Sequence, residues 1–310
     1  MDMGLLSWNS LLQKLLISTF KEELSQDTEA STVLASLFNQ VFQPTPLIAG
    51  RYLNNFYRSE TVPFAFENAV RNALYQNLEE NKESSILLEI RKLCLAVGKS
   101  PNLRGIITYN FDDLIEQDLE KSGSDIKFRS IFAPGNHPDD DELPIYHVHG
   151  FLPHKANIDS KNKIVFSENF YHDQYTNVYD WSNLIQIEMF SKSCCLLVGT
   201  SLTDPNQRRL LDIAKTIRGD DKIHHYCIRK KHSTSSVGSA LKRLLNEDNK
   251  LLEEKDKAKL NFDKTVKDLI KVMQIYEEKD AASFGVGTIW VEEYPDAANV
   301  LRELRRGEPR

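Results

Sequence analysis

Three short stretches of the chain carry polar side chains that can act on a ligand. They are Thr108-Tyr109-Asn110-Phe111-Asp112, then Val148-His149-Gly150, and finally Gly199-Thr200-Ser201 with Asp204. Amide, carboxylate and hydroxyl groups bind sugar and phosphate oxygens, and an imidazole moves protons at neutral pH. The three stretches therefore predict a site for a ligand with sugar or phosphate groups.

The first stretch reads as a strand that runs straight into a helix. Gly105 to Thr108 is an apolar, β-branched run, and Asp112 and Asp113 place carboxylates where the N-terminus of a helix favours negative charge. Ligands bind at the carboxyl edge of open α/β sheets, so Asn110 and Asp112 are candidate ligand contacts. The alternative, that both aspartates are only helix caps, stays open.

The other two stretches also follow predicted strands. Ile145 to His149 alternates in polarity and is followed by a glycine, so His149 lies at a strand end, as either a catalytic or a hydrogen-bonded structural histidine. Ser193 to Val198 is a continuous apolar run that ends at Gly199. A glycine there lets backbone amides approach a ligand closely, although the turn can also be a simple helix entry.

These stretches require a sheet whose strands end at one edge. Strands alternate with helices along the chain, which predicts an α/β fold with a Rossmann-like, doubly wound parallel sheet. Residues 1–310 are interpreted as one domain, in which 21–100 form a helical insertion and 237–280 a charged helical segment. The predicted strands beside the site stretches are Ile126–Phe132, Lys163–Phe166, His224–Arg229 and Thr288–Val291.

Net charge, cysteine spacing and the length of apolar runs argue against several classes of function. The net charge of −6 and a pI near 5.8 argue against direct nucleic-acid binding, which needs clustered Lys and Arg. The four cysteines form no CxxC pair, so no metal site is predicted, and Cys194 and Cys195 are read as buried residues of an apolar strand. No apolar run approaches the ~18 residues of a membrane span. A cytoplasmic protein is the expectation.

Taken together, the motifs resemble the sirtuin-like domain family. Thr108 to Asp112 is similar to its Thr-x-Asn-aromatic-Asp turn, Val148-His149-Gly150 to its His-Gly, and Val198 to Leu202 with Asp204-Pro205-Asn206 to its third nucleotide-contacting loop. Each piece is weak, and their order and spacing make the combination fairly specific. The chain is most similar to the prokaryotic branch that hydrolyses NAD, often in anti-phage defence.

The resemblance implies an NAD glycohydrolase that releases nicotinamide and ADP-ribose, with NAD as substrate and no metal. It implies that Asn110 holds the ribose or positions a water, that His149 accepts a proton, and that Asp112 orients the loop. Thr108, Gly199, Thr200, Ser201 and Asp204 are the implied nucleotide-binding residues. An activity toxic to its own cell implies control by a homo-oligomer, an effector or an activator protein.

Two departures from the family keep alternatives open. The zinc-binding cysteine pairs of the deacetylases are missing, which makes an NAD-dependent protein deacylase the least favoured function. The family's opening Gly-Ala-Gly-x-Ser phosphate turn is also missing, and Met1-Asp2-Met3-Gly4-Leu5 resembles the segment directly after that turn. We therefore expect either a truncated start or an inactive member that senses NAD or ADP-ribose by binding alone.

Overall fold

The computed structural model describes residues 3, 5–25, 27–58, 62–80, 82–95, 103–121, 123, 126–247 and 260–307. The chain divides into two compact units. Unit 1 comprises Met1–Gln186 and Leu301–Arg310, and unit 2 comprises Ile187–Val300. Each unit holds one parallel sheet and its own hydrophobic core.

The first half of unit 1 is helical up to the first strand. Local capping supports this, because the Ser7 hydroxyl accepts the N–H of Ser10 at 3.2 Å and Asp27 Oδ1 accepts that of Ala30 at 2.8 Å. The helices are α1 (Trp8–Glu23), α2 (Thr28–Phe42), α3 (Pro46–Arg58), α4 (Ala65–Tyr75) and α5 (Ser85–Cys94).

The sheet of unit 1 is three-stranded and parallel. Its strands are β1 (Ile106–Thr108), β2 (Phe128–Ile131) and β3 (Leu143–His147), in the order β1-β3-β2. All five residues of β3 are buried, as expected for the central strand of a parallel sheet. The register pairs Thr108 with His147, so β1 and β3 end side by side.

Helices follow these strands in the sequence. They are α6 (Leu114–Lys121) after β1, and α7 (Glu168–Thr176) and α8 (Trp181–Lys192) after β3. The main hydrophobic cluster of unit 1 contains residues of α1 to α4 together with Phe111 and Leu152, which follow β1 and β3. The ring of Trp8 lies 6.3 Å from that of Phe111. The helices before β1 therefore pack against the loops at the carboxyl ends of the strands.

Unit 2 has a second three-stranded parallel sheet. It consists of β4 (Leu196–Val198), β5 (His225–Lys230) and β6 (Val286–Val291), in that order. The helices are α9 (Pro205–Arg218), α10 (Thr234–Glu247), α11 (Phe262–Ser283) and α12 (Ala297–Arg306), the last of which runs on into unit 1. The Asp204 side chain caps α9, and Gly219 ends it with a φ of 72°.

These elements match the predicted class, a mixed α/β protein with parallel sheets, whereas the doubly wound arrangement stays a prediction. The strand predicted at 163–166 is wrong: the Val165 N–H donates to His149 O at 2.7 Å, but the segment joins neither sheet. In the described chain, residues 21–95 are helices and loops, and 237–280 contains α10 and α11. Of these predicted segments, residues 26, 59–61, 81, 96–100 and 248–259 lie outside the described residues, as do Met1, Asp2 and Gly4. Whether residues 1–310 form one domain with an insertion stays a prediction.

Within the described ranges, no helix combines the length and apolar character needed to cross a membrane.

Candidate functional site

The turn after β1 presents Asn110 and buries its neighbours. The Asn110 N–H donates to Thr108 Oγ1 at 3.1 Å, a local bond that closes the turn. Thr108 is buried and Asn110 is exposed. Phe111, next in the sequence, enters the helical core of unit 1. Phe111 on one side and strand β1 on the other therefore hold the exposed Asn110 in place.

Asp112 is the buried acid of this turn. Its Oδ1 accepts the N–H of Leu114 at 3.2 Å, so the carboxylate supports the start of α6, as the capping alternative predicted. Burial raises the pKa of Asp112 to about 6, and the nearby Glu116 and Asp113 shift it in the same direction. The carboxyl group therefore titrates near neutral pH rather than near 4.

Asp113 attaches the turn to the helices before β1. The Tyr75 hydroxyl on α4 accepts the N–H of Asp113 at 2.9 Å, and its own proton can go to Asp113 Oδ1 at 2.9 Å or to Leu152 O at 2.8 Å. Asp113 Oδ2 accepts the N–H of His154 at 2.9 Å. One phenol thus joins the loop after β1 to the loop after β3. Burial, with Asp113 and Asp112 nearby, raises the pKa of Tyr75, which keeps the phenol protonated.

His149 lies in the loop after β3, two residues past the end of the strand, and the backbone of its neighbour Val148 is bonded on both sides. The Val148 N–H donates to Thr108 O at 3.2 Å, and Val148 O accepts Gln174 Nε2 at 3.0 Å. Gly150 has a φ of 106°, and a Cβ on it would lie 2.1 Å from Lys163 O. Only glycine fits there, which explains the His-Gly pair in physical terms.

The imidazole of His149 packs against the neighbouring turn. Its ring lies 4.9 Å from the ring of Tyr109 at an interplanar angle of 84°, an edge-to-face contact. The Tyr109 hydroxyl in turn donates to Gln186 Oε1 at 2.5 Å. His149 itself is 7% exposed. The histidine and the Asn110 turn are therefore adjacent parts of one arrangement.

A second histidine, His147, is the last residue of β3. His147 is fully buried, and its Nε2 is 2.7 Å from Glu116 Oε1 on α6. The same Glu116 oxygen accepts the hydroxyl of Ser130 on β2 at 2.7 Å. This cluster of Glu116, Ser130 and His147 links β2, β3 and α6.

The loop after β4 in unit 2 is built differently. Gly199 has a φ of 74°, and nothing lies within 4 Å of where its Cβ would be. Thr200 Oγ1 donates to Gln207 Oε1 at 3.2 Å and accepts the N–H of Leu202 at 3.2 Å. Ser201 is exposed, and its hydroxyl is 2.6 Å from that of Thr203. Hydroxyl groups thus stand beside open space.

Helix α9 fixes the far side of this loop. Asp204 Oδ1 accepts the N–H of Gln207 at 2.8 Å, so Asp204 has the role of an N-cap. Leu202 is buried with a φ of 56°, a strained conformation for a leucine, and its carbonyl accepts Arg208 Nη1 at 3.1 Å. Arg208 also forms a bidentate ion pair with Asp280 on α11, with both N···O distances at 2.7 Å.

The structure therefore brings together one part of the predicted site. Thr108 ends β1, and Asn110, Asp112 and His149 lie in the loops after β1 and β3 of unit 1. Gly199, Thr200, Ser201 and Asp204 share a single loop of unit 2. In the described part of the chain, no group of three or more His, Cys, Asp or Glu residues is arranged to hold a metal ion.

The family follows from a comparison with known domains. Residues 104–253, just under half of the chain, match the model of the SIR2-like domain. This part of the chain is similar to SIR2-like domains. The matched range includes all three site stretches, so the resemblance read from their motifs is confirmed at the level of the family.

One curated protein resembles this chain over much of its length. NAD(+) hydrolase ThsA of Enterococcus faecium is 21% identical over 202 residues, which cover 64% of this chain and 37% of ThsA. The match therefore spans little more than a third of that protein. The similarity relates part of this chain to part of a protein that is named an NAD(+) hydrolase.

Several residues that support the SIR2-like site do not stand out in the sequence. Tyr75 belongs to an ordinary amphipathic helix and Gln186 to the helix α8, and nothing in their spacing marks the atoms that they contact. His147 is different, because it precedes His149 by two residues in a run whose polarity alternates. That alternation is the signal that could have revealed the buried histidine.

Proposed function

We propose that this chain is an NAD glycohydrolase that cleaves NAD to nicotinamide and ADP-ribose. The observation that carries the proposal is the adjacency of Asn110 and His149 on neighbouring strand ends of unit 1, with the Tyr109 and His149 rings 4.9 Å apart. An exposed amide and an imidazole in two adjacent loops can bind a ribose and accept a proton. The SIR2-like match and the similarity to an NAD(+) hydrolase support the same reaction.

Asn110 and His149 have different roles in this proposal. Breaking the nicotinamide–ribose bond passes through an oxocarbenium-like state, in which positive charge develops on the ribose. The exposed amide of Asn110 binds the ribose or orients the attacking water. The imidazole of His149 acts as a general base toward that water or a ribose hydroxyl.

The reaction balances without a redox partner. The C–N bond to nicotinamide breaks and its electron pair leaves with the neutral base. The water oxygen forms the new bond to the ribose carbon, and the water proton passes to His149 and then to solvent. The products are nicotinamide, ADP-ribose and one proton.

The remaining predicted residues are assigned by what their groups can reach. The Ser201 hydroxyl and the backbone beside Gly199 stand in open space, so we assign them to the nucleotide, together with Thr200. Thr108 and Asp204 already accept backbone N–H groups, of Asn110 and Gln207, and are assigned to holding their loops in shape. Asp112 acts in the same way, through Leu114.

The direct test is NAD consumption by the purified chain, with products separated by liquid chromatography. We expect Asn110→Ala and His149→Ala each to lower kcat by a factor of ~10²–10⁴, the range of a lost acid–base contribution. His172→Ala is the matched control, since His172 is an exposed histidine on α7. Nicotinamide and ADP-ribose formed at equal rates by the unaltered chain would support hydrolysis.

Other outcomes assign a different function. If calorimetry detects NAD or ADP-ribose binding but no turnover, the chain is a binding module that senses the nucleotide. If NAD is consumed only with an acyl-lysine peptide, the chain is a protein deacylase. If it neither binds nor consumes NAD, the proposal is wrong.

The proposal extends to the cell. An enzyme that depletes NAD harms its host, so its activity must be restrained until needed, by assembly or by an activator. We propose a cytoplasmic role in defence against phage, in keeping with the NAD-hydrolysing branch that the motifs resemble. In phage-challenged cells, NAD should fall with the unaltered gene and stay constant with His149→Ala.

A further inference from the structure

A cavity in the helical part of unit 1 has no place in the proposed reaction. It has a volume of about 540 Å³ and is bordered by α1, α3, α4 and the segment around His154. Cavities of ~300–1,000 Å³ are typical of small-molecule sites. The question is what its lining would bind.

The lining is basic in a chain that is acidic overall. Lys14, Arg71 and His154 contribute to it, and none of the described lining residues is an aspartate or glutamate. The chain as a whole has 45 acidic and 39 basic residues. Two carboxylates outside the lining contact His154: Glu80 Oε1 lies 3.7 Å from its Nδ1, and Asp113 Oδ2 accepts its backbone N–H at 2.9 Å. The cavity therefore favours an anion.

Lys14 and Arg71 differ in how many of their hydrogen-bond donors already have a partner. Lys14 forms no ion pair within the described ranges, and burial lowers its pKa. Arg71 donates to Ala156 O at 2.8 Å and to Asn68 Oδ1 at 2.9 Å, two of the five donors of a guanidinium. An ammonium group without an acidic neighbour gains most from a bound anion.

Aromatic and amide groups complete the lining. The Tyr75 and His154 rings are stacked, with centroids 4.6 Å apart at an angle of 22°. Tyr57 and the exposed amides of Asn72 and Gln76 also border the cavity. Rings and amides suit a heterocyclic base, as Lys14 and Arg71 suit a phosphate.

We propose that this cavity binds a phosphorylated small molecule of nucleotide size, at a site separate from Asn110 and His149. Tyr75 connects the two places. Its ring lines the cavity, and its hydroxyl accepts the N–H of Asp113 and contacts Leu152 O, in the loops after β1 and β3. A ligand that restrains Tyr75 therefore restrains the Asn110 turn.

The binding test uses AMP, with adenosine and inorganic phosphate as partial probes. We expect AMP to bind at least ~10-fold more tightly than adenosine. Lys14→Gln should raise the Kd for AMP by a similar factor, as for a lost charge-assisted hydrogen bond. Lys14→Arg should retain binding because it keeps the charge. Lys21→Gln, on the exposed end of the same helix, is the matched control and should leave the Kd unchanged.

The coupling test measures hydrogen exchange and needs no enzymatic activity. AMP should slow exchange of the amides of 109–114 in the unaltered chain, and this protection should be lost in Lys14→Gln and in Tyr75→Phe. If AMP fails to bind up to ~10 mM, or binds Lys14→Gln with unchanged Kd, the proposal is wrong. AMP binding weakened by Ser201→Ala alone would place the nucleotide at the loop after β4 and would also overturn it.

Discussion

Two glycines with positive φ angles follow strands in this protein, and their surroundings are opposite. Gly150, with a φ of 106°, would place a Cβ 2.1 Å from the carbonyl oxygen of Lys163. Gly199, with a φ of 74°, has nothing within 4 Å of the same position. Gly150 allows the loop after β3 to pack closely against the backbone of Lys163. Gly199 leaves space beside the backbone, which a ligand can occupy.

The residues around the two glycines show the same difference. Beside Gly150, the chain buries His149, His147 and Asp112. Beside Gly199, Ser201 and Thr203 are exposed and bond to each other. A general base needs a fixed position, whereas a nucleotide-binding loop needs accessible donors. This difference is what our proposal predicts if the loops of unit 1 carry the chemistry and the loop of unit 2 contributes to nucleotide binding.

The largest expected effect separates the two glycines directly. Gly150→Ala should lower the free energy of unfolding by more than ~3 kcal/mol, because it adds a collision with backbone to an unfavourable φ. Gly199→Ala should lower it by only ~1–2 kcal/mol, the cost of the conformation alone. Urea unfolding measures both. Equal losses would contradict the difference in packing.

The buried carboxyl group of Asp112 provides a pH-dependent test. Its pKa is raised from 3.8 to about 6 on folding, so the folded state binds more protons than the unfolded state between these values. Stability from this group is present below pH ~4 and is lost as pH rises to ~6, by up to ~3 kcal/mol. Asp112→Asn should remove this loss and be more stable than the unaltered chain at pH 7. If the difference in unfolding free energy between Asp112→Asn and the unaltered chain is the same at pH 4 and at pH 7, the raised pKa is contradicted.

The cluster of Glu116, Ser130 and His147 should have a smaller effect. Glu116→Ala leaves the buried Nε2 of His147 and the Ser130 hydroxyl without their acceptor, which should cost ~2 kcal/mol in unfolding free energy. Glu120→Ala, at an exposed position of the same helix, should cost less than ~0.5 kcal/mol. Thermal unfolding of the two variants, compared with the unaltered chain, checks the difference.

The strand ends of the candidate site were predictable from the sequence because their signal is local. A β-branched run followed by polar residues identified β1, and a continuous apolar run identified β4. Local signals also have limits at element boundaries. Cys194 and Cys195 were predicted to be buried, which is wrong: Cys194 is exposed and Cys195 partly so, because β4 begins only at Leu196.

The supports of the site were not predictable, because they join residues far apart in the chain. Tyr75 and Asp113 are 38 residues apart, and Glu116 and His147 are 31 apart. A tyrosine on an amphipathic helix looks the same whether its hydroxyl meets water or a loop. Packing decides between these cases, and a single sequence carries no measure of it.

The smallest effect concerns Asp204, which can be a cap or a ligand contact. If Asp204 only caps α9, Asp204→Ala should lower the free energy of unfolding by ~1 kcal/mol. Asp204→Asn should lower it by only a few tenths of a kcal/mol, because asparagine caps a helix about as well. Asp204→Asn should then leave the KM for NAD unchanged, since the loop keeps its shape. If the KM rises while stability is retained, the carboxylate contacts the nucleotide. Asp204 would then join Ser201 in binding rather than Asp112 in support.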